Sequence, residues 1–197
     1  MANGTLVMLH GMTGTSDKMQ PLAERLCPSG WDIFCPQAAI EHPTHGGFAW
    51  WLRADDPTLP LDDYSMKQVD ESMQRVIGQI PDGPLIVGGF SQGGAIASAL
   101  LETDLHERIL GLVLLGTKTV RPDSLTACLP FLHPREVVWM HGSSDHLVPM
   151  HLAVEQVEIF EAADWPVTRL EHEKGHMVNL NQFEELKAAI QRMADSA

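Results

Sequence analysis

Cysteine and basic residues are scarce in this chain of 197 residues. Its three cysteines, Cys27, Cys35 and Cys128, form no C-x-x-C pair and cannot all be joined in disulfides, which is typical of a reducing compartment. The chain has 13 Lys and Arg against 26 Asp and Glu, a net charge of −13, and no basic cluster. Because polyanions are repelled by such a surface, nucleic acid and anionic membranes are not expected partners.

The sequence also lacks a long apolar run and a basic leader ahead of its first apolar segment. It therefore predicts no transmembrane helix and no secretory signal, and we expect a cytoplasmic protein without stable membrane insertion. Hydrophobic residues make up 44% of the chain, enough for a sizeable core, and the length fits a single domain over residues 1–197. The sequence leaves open whether the chain forms a homodimer.

Six apolar, strand-like segments alternate with helical ones along the chain. Because the strands are continuously apolar, the pattern predicts an α/β fold, with a mostly parallel sheet of six to seven strands and helices on both faces. The predicted strands cover residues 5–10, 31–36, 85–87, 111–116, 136–141 and 167–173. Ser16 is the expected N-cap of the first helix, and apolar residues at helical spacing between Met66 and Ile80 predict the second. Residues 37–62 and 117–135 hold several prolines without a clean period and are predicted to be loops.

A serine stands between two glycines where the third predicted strand gives way to a helix. The segment reads Gly89-Phe90-Ser91-Gln92-Gly93, and this is the nucleophile-elbow pattern of α/β-hydrolases. The turn is sharp, so it needs residues without bulk on both sides. The alternative is an ordinary glycine-rich turn before a helix, and an acid and a base in suitable places would decide between the two.

Asp145 follows the fifth predicted strand and His176 follows the sixth, in the serine, acid, histidine order that this fold class requires. The carboxyl ends of parallel strands meet at one edge of a sheet, so these side chains are expected to lie near Ser91. The hypothesis is a triad in which Ser91 is the nucleophile, His176 the general base and acid, and Asp145 the group that orients the imidazole. Asp123 is the alternative acid, and His172 is a competing base that should lie within its strand.

An oxyanion at the reacting carbon needs two hydrogen-bond donors. The backbone N–H of Gln92, the residue after the nucleophile, is one expected donor. The backbone N–H of Met12, in the loop after the first strand, is the other.

The chain resembles the carboxylesterase/phospholipase family of α/β-hydrolases, which includes the acyl-protein thioesterases. The resemblance rests on four segments: Leu9-His10-Gly11, residues 89–94, His141-Gly142 with Asp145 and Val148-Pro149, and Gly175-His176. Pro36 and Trp51 also fit the family pattern. It implies a minimal hydrolase that cleaves esters or thioesters with a serine nucleophile and without metal or cofactor, and it supports Met12 and Gln92 as oxyanion donors. The family's Gly-Asp-Thr-Gly is replaced here by residues 12–17, and its aspartate two residues before the acid by Ser143. The substrate is left open between a small-molecule ester and an acylated protein or lysophospholipid.

Many α/β-hydrolases carry a helical cap where this chain has only residues 117–135, so we expect no cap and an open site. Phe48, Trp50 and Trp51 are expected to form its apolar wall, and Thr13 and Leu147 are further candidates for substrate contact. The alternative is that the three rings anchor a long loop to the body of the protein.

Two other classes of function remain as alternatives. The spacings His42-x2-His45 and His172-x3-His176 suit metal ligands, but no third and fourth ligand are evident, so no metal is expected. A non-catalytic binding protein on the same fold, or a peptidase using the same three residues, is the other alternative.

Overall fold

A six-stranded parallel sheet forms the centre of the computed structural model, which describes residues 2–52 and 59–196. The strands among these residues are β1 (Thr5–Leu9), β2 (Asp32–Phe34), β3 (Ile40–Glu41), β4 (Phe48–Ala49), β5 (Leu85–Phe90), β6 (Ile109–Leu115), β7 (Glu136–Gly142) and β8 (Val167–His172). The main sheet has the order β2-β1-β5-β6-β7-β8, and β3 pairs with β4 in a separate antiparallel hairpin. The predicted fold class is confirmed.

Helices cover both faces of the sheet. They are α1 (Ser16–Leu26), α2 (Asp63–Ile77), α3 (Gln92–Ala99), α4 (Pro122–Cys128), α5 (Met150–Ala162) and α6 (Phe183–Asp195). Helices α1 and α6 bury one face of the sheet, and α2, α3 and α5 bury the other. Both faces of the four inner strands, β1, β5, β6 and β7, are therefore buried, which explains their mainly apolar sequence, whereas the edge strands β2 and β8 are partly exposed. None of the described helices is long and apolar enough to cross a bilayer.

The strand order places a crevice at the carboxyl ends of β1 and β5. From β1 the chain moves outward to β2, and then it returns to the other side of β1 to form β5. The connections after β1 and β5 therefore leave on opposite faces of the sheet, and an open α/β sheet binds its ligands at such a switch point. The loop that holds Met12 and the turn that holds Ser91 lie there.

Two predicted helix boundaries differ from the structure. Thr15, not Ser16, is the N-cap of α1, because its extended backbone lets Oγ1 accept a hydrogen bond of 3.1 Å from the Lys18 amide. Ile80 lies beyond the end of α2, although its side chain is buried as the apolar spacing predicts.

Both predicted loops contain regular structure. The 37–62 segment includes the β3–β4 hairpin, whose two-residue strands are too short to show a period. The 117–135 segment includes α4 and a 3-10 turn, Leu129–Phe131, because Pro122 occupies the first helical position, where its missing N–H costs nothing. Helix α4 lies against α5, and no helical cap is evident in the described ranges.

The packing of α4 can be tested with one buried and one exposed substitution. Leu125 is 1% exposed, so Leu125→Ala should lower the free energy of unfolding by about 2–5 kcal/mol, measured by urea denaturation. Phe131, in the 3-10 turn directly after α4, is 89% exposed, and Phe131→Ala should change that free energy by less than about 0.5 kcal/mol. Equal effects of the two substitutions would mean that α4 is not part of the core.

Candidate active site

Ser91 stands alone between the end of β5 and the first residue of α3, with φ 53° and ψ −121°. A non-glycine residue in this region costs about 1–3 kcal/mol unless its surroundings hold it there. The Ser91 amide donates to the Leu115 carbonyl at 2.9 Å, and the Ser91 carbonyl accepts from Thr117 Oγ1 at 2.7 Å. The strained turn is therefore fixed by the end of β6 and by the loop that follows it.

The glycines of the elbow are required by backbone contacts. A Cβ atom at Gly93 would lie 2.2 Å from the Leu9 carbonyl oxygen, and one at Gly89 would lie 2.4 Å from the Gly93 carbonyl carbon. A Cβ at Gly11 would lie 3.4 Å from Ser91 Cβ, so the loop after β1 passes directly beside the serine. Because these three glycines have no side chains, the backbones of β1, β5 and α3 can approach one another closely at Ser91.

Asp145 and His176 form a hydrogen-bonded pair, with 2.6 Å between Asp145 Oδ2 and His176 Nδ1. Asp145 Oδ1 accepts from the amides of Leu147 at 2.8 Å and Val148 at 2.9 Å. Burial raises the pKa of Asp145, but these hydrogen bonds outweigh it and hold that pKa below its usual range. The carboxylate is therefore ionised, Nδ1 of His176 carries a proton, and Nε2 is left as the acceptor.

Ser91 and His176 line the same cavity, which has a volume of about 630 Å³. Met12, Thr13, Gln92 and Leu147 line it as well. The Phe90 ring contacts the His176 imidazole at a centroid distance of 4.6 Å and limits its orientations. The structure thus brings Ser91 and His176 to one cavity, and Asp145 is buried behind the imidazole.

The hairpin strand β4 holds the loop that contains Met12. The Thr13 amide donates to the Phe48 carbonyl at 2.8 Å, and the Phe48 amide donates to the Gly14 carbonyl at 3.0 Å. Neither the Met12 nor the Gln92 amide donates a hydrogen bond to another described residue. Two fixed N–H groups therefore remain available near Ser91 for a negatively charged oxygen.

The three aromatic residues proposed as a wall occupy different environments. Trp50 is buried, and its indole N–H donates to the His10 carbonyl at 2.7 Å. Trp51 is buried too, and it lines a second, narrow cleft next to Ser91. Phe48 supports the Met12 loop through its main chain. Trp50 therefore anchors the segment, and of the three residues only Trp51 lines either of the two clefts at Ser91.

Two other strand-end histidines, His10 and His172, are engaged in hydrogen bonds of their own, and His10 lines the same cavity as Ser91. The Ala38 amide donates to His10 Nε2 at 3.2 Å, so the His10 ring proton is on Nδ1, 2.7 Å from the Gly11 carbonyl. His172 is the last residue of β8, as expected, and its Nδ1 accepts from the Lys174 amide at 3.2 Å. Burial lowers the pKa of both rings, which keeps them neutral.

His141 is a further functional candidate, to which the sequence pattern assigned no role of its own. Its side chain is fully buried, Nε2–H donates to the Val148 carbonyl at 2.9 Å, and Nε2 lies 3.6 Å from Asp145 Oδ2. The ring also stacks on Trp139 at 5.5 Å. His141 therefore supports the loop that presents the Asp145 carboxylate, and its position four residues before that aspartate is the signal that could have found it.

The alternative acid Asp123 and the suggested metal-ligand pair His42 and His45 do not line the cavity of Ser91. Asp123 is exposed in the first turn of α4. His42 and His45 contact each other at a ring distance of 5.1 Å between β3 and β4, where His42 is half-buried and His45 is exposed. Across residues 2–52 and 59–196, no three His, Cys, Asp or Glu side chains gather as metal ligands would.

Residues 4–135 match the family model described as the alpha/beta hydrolase fold. This match includes Ser91 and ends before the strand that precedes Asp145. The chain therefore belongs to the α/β-hydrolase family, to which its sheet order and its elbow also assign it.

Within this family the chain is similar to acyl-protein thioesterases and carboxylesterases. It is 31% identical over 171 residues to acyl-protein thioesterase 1 of Cryptococcus neoformans, covering 78% of this chain and 71% of that protein. The structure of acyl-protein thioesterase 2 from Zea mays superimposes with a TM-score of 0.76 at 21% identity, covering 98% and 94% of the two chains. The structure of a carboxylesterase from Bacillus cereus superimposes with a TM-score of 0.74 at 20% identity, covering 97% of this chain and 89% of that protein.

Because its buried histidines resist protonation, the protein is expected to lose folding stability in mild acid. Burial lowers the pKa of His141, so the folded protein keeps this ring neutral at a pH where the unfolded chain, with a histidine pKa of about 6.5, already binds the proton. The stabilisation is complete above that unfolded pKa and is lost as the pH falls through the folded pKa. The melting temperature should therefore decrease between about pH 7.5 and about pH 5.

Replacing the buried ring should reduce this loss of stability. In His141→Gln the decrease of the melting temperature over the same pH range should be smaller than in the wild type. His151 is exposed on α5, so His151→Gln serves as the matched control and should decrease like the wild type. An unchanged decrease in His141→Gln would contradict the burial of a neutral ring.

Proposed function

We propose that this protein hydrolyses carboxylic esters or thioesters through an acyl-enzyme on Ser91. The observation that carries the proposal is the 2.6 Å hydrogen bond between Asp145 and His176, because His176 shares its cavity with Ser91. An imidazole oriented in this way has Nε2 free to accept the serine proton. The names of the relatives support the same chemistry, since they include both thioesterases and a carboxylesterase.

The first half of the reaction transfers the acyl group to the enzyme. Ser91 Oγ bonds to the carbonyl carbon while its proton moves to His176 Nε2. The amides of Met12 and Gln92 stabilise the oxyanion, and Asp145 stabilises the imidazolium. The bond from the carbonyl carbon to the leaving oxygen or sulfur then breaks, and His176 protonates the leaving atom.

The second half restores the enzyme. Water gives a proton to His176 and attacks the acyl carbon, and the bond to Ser91 Oγ breaks as the serine regains its proton. The products are a carboxylic acid and an alcohol or thiol. Side chains and backbone amides of this chain perform each of these steps. The substrate is either a small ester or a larger acylated molecule.

Removal of the nucleophile should abolish this activity. Ser91→Ala is expected to lower the hydrolysis of short p-nitrophenyl esters to the background rate, and the wild type should be labelled at Ser91 by a fluorophosphonate probe. The melting temperature should stay near that of the wild type, which shows that the variant is folded. Turnover retained by Ser91→Ala, or no adduct in folded wild type, would favour a non-catalytic binding protein.

The role of the acid can be separated from that of the alternative aspartate. Asp145→Asn keeps the shape of the side chain but should lower kcat by about 10³–10⁴-fold, because the imidazole loses the partner that fixes its tautomer. Asp123→Asn is the matched control on α4 and should leave kcat within about twofold. The reverse outcome would assign the acid to Asp123.

A further inference from the structure

Ser91 lies on the boundary between two cavities of very different size. The large cavity of about 630 Å³ extends toward α1 and residues 177–178, where Met19, Leu22, Met177 and Val178 give it apolar walls. The narrow cleft, of about 30 Å³, lies toward Thr117 and Val120. Ser91 and Gln92 line both, so a carbonyl carbon bonded to Ser91 stands between the two spaces.

The position of His176 decides which part of a substrate enters which space. This imidazole must protonate the leaving oxygen or sulfur, so that atom has to lie beside Nε2. Among the described lining residues, His176 belongs to the large cavity and not to the narrow cleft. The leaving group therefore extends into the large cavity, and the acyl chain on the opposite side of the carbonyl points toward the narrow cleft.

Two hydrogen bonds fix part of the wall of the narrow cleft, which Lys118 and Val120 complete. Gln92 Nε2 donates to the Trp51 carbonyl at 2.9 Å, and Thr117 Oγ1 donates to the Ser91 carbonyl at 2.7 Å. Trp51 and Thr117 are both buried. A volume of about 30 Å³ holds about two water-sized groups, whereas the large cavity falls in the range of about 300–1,000 Å³ of small-molecule sites.

We infer that the natural substrates combine a short acyl group with a large, mainly apolar leaving group. The inference rests on the proposed hydrolysis at Ser91 and adds the orientation of the substrate. It assigns size selection to two sets of residues: Val120 and Trp51 limit the acyl chain, and Leu22 with Met177 accepts the alcohol or thiol.

Two constitutional isomers test this orientation with the full chain. Phenyl octanoate places its alkyl chain on the acyl side, and para-hexylphenyl acetate places it on the leaving group. We expect kcat/KM, divided by the rate of hydroxide hydrolysis, to be higher for the acetate by about tenfold or more. A ratio of one or below would overturn the inference and would place the acyl chain in the large cavity.

Two substitutions should lower this ratio for opposite reasons. Val120→Ala widens the narrow cleft and should lower the acetate-to-octanoate ratio by several-fold, because kcat/KM for the octanoate rises. Leu22→Trp fills the large cavity and should also lower the ratio. In this variant the cause is a lower kcat/KM for the acetate. The concentration of active sites is measured by titration with a fluorophosphonate, so misfolded protein does not affect either value of kcat/KM. If Val120→Ala slows the octanoate or Leu22→Trp leaves the acetate unaffected, the assignment of the two spaces is wrong.

Failure of the orientation and failure of the proposed function give different results. If the orientation is wrong, both esters are hydrolysed, Ser91 is labelled, and the ratio favours the octanoate. If the proposed function is wrong, neither ester is hydrolysed above the background rate and folded wild type gives no adduct at Ser91.

Discussion

The backbone contact between the end of β1 and the start of α3 is the constraint on which the candidate site depends. The Leu9 carbonyl can approach this turn only because position 93 has no side chain. That approach brings the loop of Met12 beside the amide of Gln92, although the two residues are far apart in the chain. The unfavourable backbone angles of Ser91 follow from the same geometry, and hydrogen bonds from β6 and from the loop after it hold them.

The acid side of the site is organised by hydrogen bonds rather than by exposure to solvent. Asp145 is buried, and an uncompensated carboxylate there would be protonated. Two backbone amides saturate one of its oxygens, so the other is left for His176. His141 fixes the carbonyl of Val148, whose amide is one of these donors. The position of His176 therefore depends on a chain of contacts that reaches into β7.

The strands and the relative placement of Ser91, Asp145 and His176 could be predicted because they depend on local sequence. Each residue follows a predicted strand, and parallel strands end at one edge of the sheet. The β3–β4 hairpin and α4 escaped prediction because such short elements show no period, and prolines are as compatible with a helix start as with a loop. The different environments of Phe48, Trp50 and Trp51 depend on tertiary packing, which residue type alone does not reveal.

The size difference between the two cavities follows from how the elbow is held. Thr117 bonds the Ser91 carbonyl from the loop after β6, and this contact draws that loop against the serine and narrows the space on its side. On the other side, β4 pairs with the loop after β1 and draws it toward the hairpin. Space is therefore left between that loop and residues 176–178. The hydrogen bond that stabilises the strained serine thus also limits the group that can lie on the acyl side, so that strain and selectivity have a common origin in the turn between β5 and α3.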